Sequence, residues 1–454
     1  MTPDVDELGV RAADAVDSAA RGVIDRPSVG TLRQRWQRRQ RRRVAMGAVA
    51  AIAVIALVVL AVPDLRLAPP EIANPPTNDA ASPSALPSPS ASPAEGVDEV
   101  TAGGWVMASA GEAFTHTDSV LAAAHLDGRT VLVGYDESRG TKAPGVWLAG
   151  DDQAWRRVPR DRIDLGGPRY DGAALMMNDV AVSDDGTHVA IGSAWFGPRR
   201  TEPVAWVSTD RGESWQLFDD LGGEDEASIY AVTWGSRGFV MVGSRGGHAS
   251  AWWEADEGWV EAEIGTEGAL VAVAPIGDGY IATGFLGDGS ALVLRHAIFV
   301  TGAIEPGAAL PRWEPVNTDV GFQATTLLPS RDAILAGGSQ LQDGDYDGAV
   351  AVSEDGAEWE PLAEGGLDGG SDGWVTQLAV TPDGEVLAVG VDAASAMIWT
   401  RTTGEWKRLP SELFPDRSEP GPVVLIDGEP VVFGLLGDPV GSRNQVVTWQ
   451  RAGS

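Results

Sequence analysis

The sequence has no cysteine, which excludes disulfide bonds, thiol catalysis, cysteine-ligated zinc and a lipid anchor attached to cysteine. Histidine is scarce as well, and five in 454 residues argue against a histidine-rich metal site. Basic residues are few beyond residue 97, where 55 acidic side chains outnumber 22 basic ones. Such a surface repels nucleic acid. This charge is consistent with solubility outside a cell, and it also favours binding of cations or basic partners.

One long uncharged segment, residues 44–62, interrupts the polar N-terminal region. As a helix, its 19 residues would span roughly 28 Å, close to the hydrocarbon thickness of a bilayer. Seven arginines lie directly before it, between Arg33 and Arg43, and this positive-inside bias places the N-terminus in the cytoplasm. We therefore predict an uncleaved, single-pass signal-anchor in the cell membrane, with everything after Val62 extracytoplasmic; a cleaved signal peptide is the alternative.

The regions on either side of this membrane helix cannot build a sizeable core. Residues 1–43 carry ten arginines, and their apolar spacing predicts a basic helical segment in the cytoplasm. This segment either contacts anionic lipid or docks a cytoplasmic regulator. Residues 63–97 contain nine prolines, many in Ser-Pro pairs, which predicts a disordered linker.

The remaining residues, 98–454, contain a unit that recurs seven times. Each copy has an apolar strand, a tight turn and a second strand that ends in glycine. Third and fourth strands follow, often with a tryptophan each. The repeated glycines, 41 to 58 residues apart, are Gly134, Gly192, Gly243, Gly284, Gly337, Gly390 and Gly434. Four-stranded repeats of this length predict an all-β, seven-bladed β-propeller.

The two ends of the repeat region complement each other. The last copy ends after the third-strand Trp449, so its fourth strand is missing. Trp105, near the front of the region, lies in a string that resembles the fourth strand around Trp259. We predict that the N-terminal strand completes the last blade and closes the ring, which would cover an edge that otherwise invites aggregation.

Two turns carry a recognisable pattern, Ser-x-Asp-x-Gly followed by Trp or a shortened form of it. The first has Ser208, Asp210, Gly212 and Trp215; the second has Ser353, Asp355, Gly356 and Trp359. Aspartate in such a turn caps backbone amides, glycine accepts a positive φ, and tryptophan packs into the blade. On these residues the chain resembles the Asp-box (bacterial neuraminidase repeat) propellers, which include sialidases, sortilin-like receptors and exported bacterial proteins. In that family the boxes lie on the blade periphery, so the resemblance implies a fold and a structural role.

A sialidase would also carry an arginine triad, a Tyr-Glu nucleophile pair and an aspartate acid/base. The family's Arg-Ile-Pro motif is absent, and none of the five tyrosines has a recognisable partner in the sequence. No catalytic residue is therefore carried over from the resemblance. The aromatics Trp195, Phe196 and Phe414, placed in loops, are candidates for stacking on sugar rings or anchoring a protein.

The sharpest local pattern for a cofactor is Asp343, Asp345, Asp347 and the carbonyl of Ala349. Three carboxylates at alternate positions before a glycine form the first half of an oxygen-ligand calcium loop. A Ca²⁺ site is one interpretation of this string, and an ordinary Asp/Gly turn in an acidic protein is the other.

Together these observations predict a membrane-anchored, extracytoplasmic propeller that is a non-enzymatic binding or sensing module for an envelope protein or glycan. The layout resembles exported envelope proteins of high-GC Gram-positive bacteria. Two alternatives remain open. One is a glycoside hydrolase, sialidase-like, acting on envelope glycans through a pair of carboxylates. The other is an anti-sigma-like transmembrane signalling protein, although the short cytosolic part lacks a His-Cys-Cys zinc motif.

Overall fold

The computed structural model describes residues 99–453 apart from short gaps, which are 151–153, 198–199, 219–220, 222–226, 256–257, 288–293, 302–312, 317–321, 331–332, 343–344, 363–366, 368–371, 393–394 and 438–443. The predicted cytoplasmic segment 1–43, membrane helix 44–62 and linker 63–97 lie outside the described residues. Within the part that is described, no helix is long and apolar enough to cross a membrane.

Strands account for almost all regular structure in the described ranges. In chain order the strands are β1 (Val100–Ala102), β2 (Trp105–Ser109), β3 (Asp118–Leu126), β4 (Arg129–Asp136), β5 (Ala143–Ala149), β6 (Arg156–Arg157), β7 (Ala174–Val182), β8 (His188–Gly197), β9 (Arg200–Ser208), β10 (Gln216–Phe218), β11 (Ala227–Gly235), β12 (Gly238–Arg245), β13 (His248–Ala255), β14 (Gly258–Ile276), β15 (Gly279–Gly287), β16 (Leu294–Thr301), β17 (Trp313–Val316), β18 (Phe322–Pro329), β19 (Ile334–Gln342), β20 (Asp345–Ser353), β21 (Glu360–Pro361), β22 (Gly373–Val380), β23 (Val386–Asp392), β24 (Ser395–Arg401), β25 (Lys407–Arg408), β26 (Ser418–Ile426), β27 (Glu429–Gly437) and β28 (Asn444–Arg451). Three short 3₁₀ helices, Arg160–Arg162, Gly167–Tyr170 and Ser411–Leu413, lie in connections between sheets.

The described strands form six antiparallel sheets, so the predicted count of seven separate blades is wrong for this structure. Four sheets have four strands, one has five, and one has seven. The difference arises at β14, a single strand of 19 residues. Its first part pairs with β13 and its second part pairs with β15. Because no turn or loop interrupts β14, two of the sequence repeats share one sheet.

The innermost strands contact each other in a closed cycle. β3 contacts β7, and the contacts continue through β11, β14, β18, β22 and β26, which contacts β3 again. Antiparallel sheets arranged in this way around a centre define a β-propeller. The prediction of an all-β propeller is therefore confirmed, and the apolar residues that alternate along each strand pack between neighbouring sheets.

The two ends of the described chain meet in one sheet. β2 pairs with β28 along its whole length, with Met107 opposite Trp449. The predicted closure by an N-terminal strand is therefore confirmed. β1 adds a fifth strand beyond β2, with Ala102 opposite Trp105, which the sequence did not predict. The outer edge of this sheet is thus formed by the shortest of its strands, as is common where edges must resist pairing.

In every repeat a glycine of the second strand lies opposite a β-bulge on the innermost strand. In the third repeat, for example, the register shifts between Ile229 and Ala231, and Gly243 faces Ile229. A Cβ at Gly243 would lie 1.9 Å from the carbonyl oxygen of Ser228. The same approach, between 1.8 and 2.4 Å, recurs at Gly134, Gly192, Gly284, Gly338, Gly390 and Gly434. Glycine therefore recurs because the bulge carries a carbonyl into the space that a side chain would need.

In the fifth repeat the structure corrects the sequence alignment by one residue. Gly338, and not the predicted Gly337, lies opposite the bulge, where its Cβ would meet the carbonyl oxygen of Gln323 at 1.8 Å. The nearest atom to a Cβ on Gly337 is a methyl carbon of Val375, in the next sheet, at 2.8 Å. Two adjacent glycines fit the sequence pattern equally well, and only the bulge distinguishes them.

Four tryptophans of third strands hold the connections that enter their own sheets, whereas the indole of Trp399 on β24 has no acceptor among the described residues. Each of the four donates its indole N–H to a backbone carbonyl of that connection. The pairs are Trp147 with Ala113 at 3.2 Å, Trp206 with Asp164 at 2.9 Å, Trp252 with Leu221 at 3.1 Å and Trp449 with Leu413 at 2.7 Å. All four side chains are fully buried. These tryptophans therefore have a structural role: their rings pack in the core, and their indole N–H groups are hydrogen-bonded, as buried tryptophans usually require.

Candidate functional site

The first predicted box forms a closed hydrogen-bonded turn between β9 and β10. The Gly212 amide donates to the Ser208 hydroxyl at 2.9 Å, and that hydroxyl donates to the Asp210 carboxylate at 2.9 Å. The Ser214 amide and hydroxyl donate to the same carboxylate at 2.9 and 2.6 Å. The Trp215 indole donates to the Gly212 carbonyl at 3.0 Å. Every polar group of the pattern thus has a partner inside the turn.

The second box, between β20 and β21, has the same arrangement in shorter form. The Gly356 amide donates to the Ser353 hydroxyl at 2.8 Å, and the Glu358 amide donates to Asp355 at 3.0 Å. The Trp359 indole donates to the Gly356 carbonyl at 3.0 Å. Gly356 has a φ of +80°, which glycine adopts without strain.

In both boxes the aspartate has a lowered pKa, as expected for a carboxylate that caps the backbone amides of a turn. Partial burial alone would raise the pKa of Asp210, but hydrogen bonds from Ser214 and Ser208 outweigh it and lower that pKa. Backbone amides, that of Glu358 first, lower the pKa of Asp355. Both carboxylates are therefore ionised and committed to the turn. The boxes lie where the third strands end, at what we call the lower edge of the ring.

The predicted calcium residues lie at the opposite end of the strands, in a regular strand where they are described. Asp345 pairs with Gln342 and Asp347 with Gln340, while Ala349 is buried against Gly338. Asp343 lies outside the described residues. The described residues contain no cluster of three or more His, Asp or Glu side chains that could hold a metal. The Ca²⁺ site stays a prediction: a melting temperature that rises with millimolar calcium would support it, and an unchanged one would remove it.

The end of the ring where the innermost strands begin is here called the upper edge. One position of each innermost strand has its carbonyl against the repeated glycine, and we call these the mouth positions. They are Ser119, Met176, Ser228, Ala269, Gln323, Trp374 and Glu419. Ser119 and Met176 are buried, whereas Gln323 and Trp374 are half-buried and Glu419 is exposed. These last three, on consecutive strands that contact each other, form the polar-aromatic arc.

Trp374 is turned toward the sheet that carries Glu419. The next residue, Val375, has its methyl carbons 2.8 Å from a Cβ built on Gly337 and 3.5 Å from one built on Gly348, both in the preceding sheet. Because side chains alternate between the two faces of a strand, Trp374 points away from that sheet and toward the one that follows, which contains β26. Among the described residues, Trp374 belongs to none of the hydrophobic clusters that hold most other tryptophans.

The Glu419 side chain is exposed, and its charge acts on the neighbouring sheet that begins with β3. Surrounding strands displace water from around its carboxyl and raise its pKa, and no basic group in the described ranges acts against this. Tyr135, on that neighbouring sheet, has its pKa raised by burial, against a hydrogen bond to Ser119 that lowers it, with smaller increases from the charges of Glu137 and Glu419. The Lys142 ammonium lies 4.3 Å from the centre of the Tyr135 ring. Burial lowers the pKa of Lys142.

Asp179, deeper in the ring, joins two innermost strands. It follows the bulge of β7 and accepts a hydrogen bond from its neighbour Val180 at 2.8 Å. It also accepts one from Val232 of β11 at 2.9 Å. Its side chain keeps some exposure, yet protein atoms surround it, and this desolvation raises its pKa to about 7. We attribute a structural role to this carboxyl, since both oxygens are held by backbone amides.

Other buried carboxylates at the upper edge are paired with arginine. Arg157 contacts Asp118 at 3.2 Å and Asp136 at 2.8 Å, and Arg408 contacts Asp392 at 2.6 Å. All three aspartates are nearly inaccessible. Arg157 on β6 thus joins the first and second strands of its repeat to the fourth, and Arg408 on β25 joins the second strand of its repeat to the fourth, so these pairs stabilise the upper edge.

The sequence did not identify the residues of the polar-aromatic arc or Asp179. The aromatic residues that the sequence analysis proposed for ligand binding lie elsewhere than predicted. Phe414 is buried and stacks on Trp449 with ring centres 5.8 Å apart. Trp195 and Phe196 are half-buried and belong to β8, not to a loop. A weak signal for the arc existed, because aligning the repeats on their glycines brings Trp374 and Glu419 to within one residue of equivalent positions of adjacent copies.

Comparison with known proteins gives similarity of fold only. No family model matches the chain, and no curated protein matches it. Similar solved structures include YCF48 from Cyanidioschyzon merolae, at 14% identity and a TM-score of 0.49, covering 75% of this chain and 98% of that one. A GH74 xyloglucanase from Xanthomonas campestris has 13% identity and a TM-score of 0.48, with 75% of this chain and 55% of that one covered. A Trypanosoma rangeli sialidase in complex with sialic acid has 12% identity and a TM-score of 0.42, with the same coverages.

The chain thus spans about half the length of those two enzymes. The assignment of a propeller rests on the strand pairing described above, and the activities of these proteins are not transferred to this chain.

Proposed function

We propose that this chain is a single-pass membrane protein whose extracytoplasmic propeller binds an envelope protein or glycan without catalysing a reaction. The uncharged segment 44–62 and the arginines before it support the anchor and its orientation. The polar-aromatic arc carries the binding proposal. Its side chains are accessible around the centre of a propeller face, where ligands of such folds bind by default, and the core does not require them.

The proposal includes membership of the Asp-box propellers and a repeat number of seven. Two turns with matching hydrogen-bond patterns support the first. Seven glycines that each face a bulge support the second, with two repeats sharing the sheet that contains β14.

Photocrosslinking in the native envelope tests this proposal. A photoreactive amino acid replaces Gln323 at the upper edge of the full-length protein, and a control variant carries it at the exposed Glu354 of the lower edge. We expect an adduct with an outer-surface protein or glycan from position 323 and none from position 354, identified by mass spectrometry. Adducts with cytosolic proteins, or equal adducts from both positions, would contradict the proposal.

One observation favours the glycoside hydrolase as a second candidate. Glu419 combines an exposed carboxyl with a pKa that burial raises, which is the direction in which the pKa of a general acid is shifted. Hydrolysis of neutral and sialylated oligosaccharides by the full-length protein, lost in Glu419→Gln, would favour this candidate. No turnover by the unaltered protein would exclude it for those substrates.

A further inference from the structure

We propose that the ε-amine of Lys142 is a nucleophile that binds a small aldehyde covalently, as an imine, at the upper edge of the ring. The site lies on the sheet formed by β3 to β6, where Tyr135 contacts Lys142 and pairs with the mouth position Ser119. It goes beyond the proposed function, because the three residues of the polar-aromatic arc lie on other sheets.

Lysine is almost unused in this chain, and Lys142 occupies a position where arginine is the rule. Of the 33 lysines and arginines, only Lys142 and Lys407 are lysines. Five cations lie over aromatic rings in the described ranges, and four of them are arginines, namely Arg157, Arg169, Arg200 and Arg245. The fifth is Lys142, over Tyr135. A guanidinium stays charged in proteins, whereas a lysine amine can lose its proton and attack an electrophilic carbon. The exception to arginine therefore adds chemistry that arginine lacks.

Lys142 is buried directly beneath the surface of the upper edge. Its side chain nitrogen lies 4.3 Å from the centre of the Tyr135 ring, and the two residues are 8% and 4% exposed. Its backbone carbonyl accepts the amide of Leu175 of β7 at 3.0 Å, which fixes the residue against the next sheet. The five residues before it, 137–141, are all exposed. The amine is thus shielded from bulk water and adjoins a solvent-exposed connection, from which a small molecule would approach.

Burial favours the form of the amine that reacts. Loss of surrounding water lowers the pKa of Lys142, and the charge of the exposed Glu137 opposes this shift without cancelling it. The neutral amine is the nucleophile, so burial increases the reactive fraction at a given pH.

The reaction with an aldehyde is balanced without an oxidant or reductant. The amine nitrogen attacks the carbonyl carbon, and the C–O π electrons move to the oxygen. Both hydrogens of the amine end on that oxygen, which leaves as water, so one amine and one aldehyde give one imine and one water. The protonated imine is again a cation, and the Tyr135 ring would stabilise it as it does the ammonium. The low exposure also slows the hydrolysis that reverses the reaction.

The experiment compares the two lysines within one sample of the full-length protein in detergent. Propanal is added with sodium cyanoborohydride, which traps imines, at about pH 7. Mass spectrometry of proteolytic peptides follows the labelling of each lysine over time. If exposure alone set the rate, the exposed Lys407 would react faster than the buried Lys142. We expect the opposite order, with Lys142 about tenfold faster. A rate at Lys142 equal to or below that at Lys407 would overturn the inference.

Unfolding separates a site made by the fold from an effect of neighbouring residues in the chain. In about 8 M urea the two lysines should react at similar rates, because burial and the ring contact are lost. If Lys142 keeps its advantage in urea, the fold does not create the reactivity and the inference is overturned.

Two variants of Tyr135 test the role of the ring. Tyr135→Phe keeps an aromatic face and should label at Lys142 as the unaltered protein does. Tyr135→Leu removes that face and should slow labelling at Lys142 about threefold, with Lys407 unchanged. Melting temperatures show whether both variants remain folded. Equal labelling of Lys142 in the two folded variants would overturn the site described here.

The result is independent of the crosslinking from position 323. Preferred labelling of Lys142 supports the amine site even if no outer-surface partner is captured. Slow labelling removes the amine site and leaves the binding proposal for the arc as it stands.

Discussion

Replacing Gly243 by alanine tests whether the repeated glycine exists because of the bulge that it faces. The added Cβ would lie 1.9 Å from the carbonyl oxygen of Ser228 and 2.9 Å from the Cα of Ile229. A carbon–oxygen contact without strain needs about 3.3 Å, so the two strands must separate by more than 1 Å. Both contacts are to backbone, and no side chain can rotate away to relieve them.

The loss of stability in Gly243→Ala depends on how far the two strands must separate to admit the added methyl group. Overpacking of this kind typically costs about 1–3 kcal/mol, and each ladder hydrogen bond lengthened at the bulge adds about 1 kcal/mol. We expect Gly243→Ala to lower the free energy of unfolding by about 3 kcal/mol. For a ring of roughly 350 residues with an unfolding entropy of about 2.1 cal/mol/K per residue, this lowers the melting temperature by about 4 °C.

Gly437, on β27, provides the matched control. The atom nearest to a Cβ there is the Cβ of Arg417 at 3.6 Å, an ordinary contact, and Gly437 has no positive φ. Alanine at this position should be neutral or stabilise by about 0.5 kcal/mol, because it restricts the unfolded chain. Thermal unfolding of the full-length protein by circular dichroism compares the two variants. Equal melting temperatures for Gly243→Ala and Gly437→Ala would refute the role assigned to the bulge.

Three further predictions concern buried polar groups. Ser208→Ala removes the hydroxyl that accepts the Gly212 amide and should cost about 1–2 kcal/mol, measured by urea unfolding; no change would show that the box does not support the blade. Trp206→Phe loses an indole hydrogen bond and should destabilise more than Trp399→Phe, whose indole has no acceptor among the described residues; an equal loss would assign the effect to packing alone. Asp179 has a pKa of about 7 in the fold against an ordinary 3.8, so the folded chain holds a proton that the unfolded chain releases, and stability falls as the pH rises between these values. Asp179→Asn should make that fall shallower in unfolding experiments across the window, and an unchanged slope would contradict the raised pKa.

The features that the sequence predicted well are local or periodic. Each box closes within eight residues, so its hydrogen bonds depend on neighbours in the chain and its pattern predicts its geometry. The glycines recur because one backbone contact recurs in every repeat. The pairing of Trp105 and its strand with the strand of Trp449 could be inferred since a missing fourth strand leaves an edge that must be covered.

The features that were missed depend on register or on contacts between repeats. β14 continues through a point where other repeats have a connection, and nothing in its alternating residues marks that difference. Gly337 and Gly338 are equivalent in a sequence pattern, and the position of the bulge decides between them. Asp179 bonds to Val232, 53 residues away. The members of the arc lie on three strands, β18, β22 and β26, which become neighbours only when the ring forms.

The mouth positions show why the binding residues proposed here evade a search for motifs. At each of them the fold constrains the backbone carbonyl, which lies against the repeated glycine, and leaves the side chain unspecified. The seven positions accordingly hold five residue types besides two serines, from alanine to tryptophan. The accessible side chains among them can change without cost to the core, unlike the buried Ser119 and Met176, whereas the glycine opposite cannot change in any repeat. A propeller can therefore acquire or change a ligand at this ring of positions while its repeat stays intact, which makes the arc the place where specificity is expected to reside.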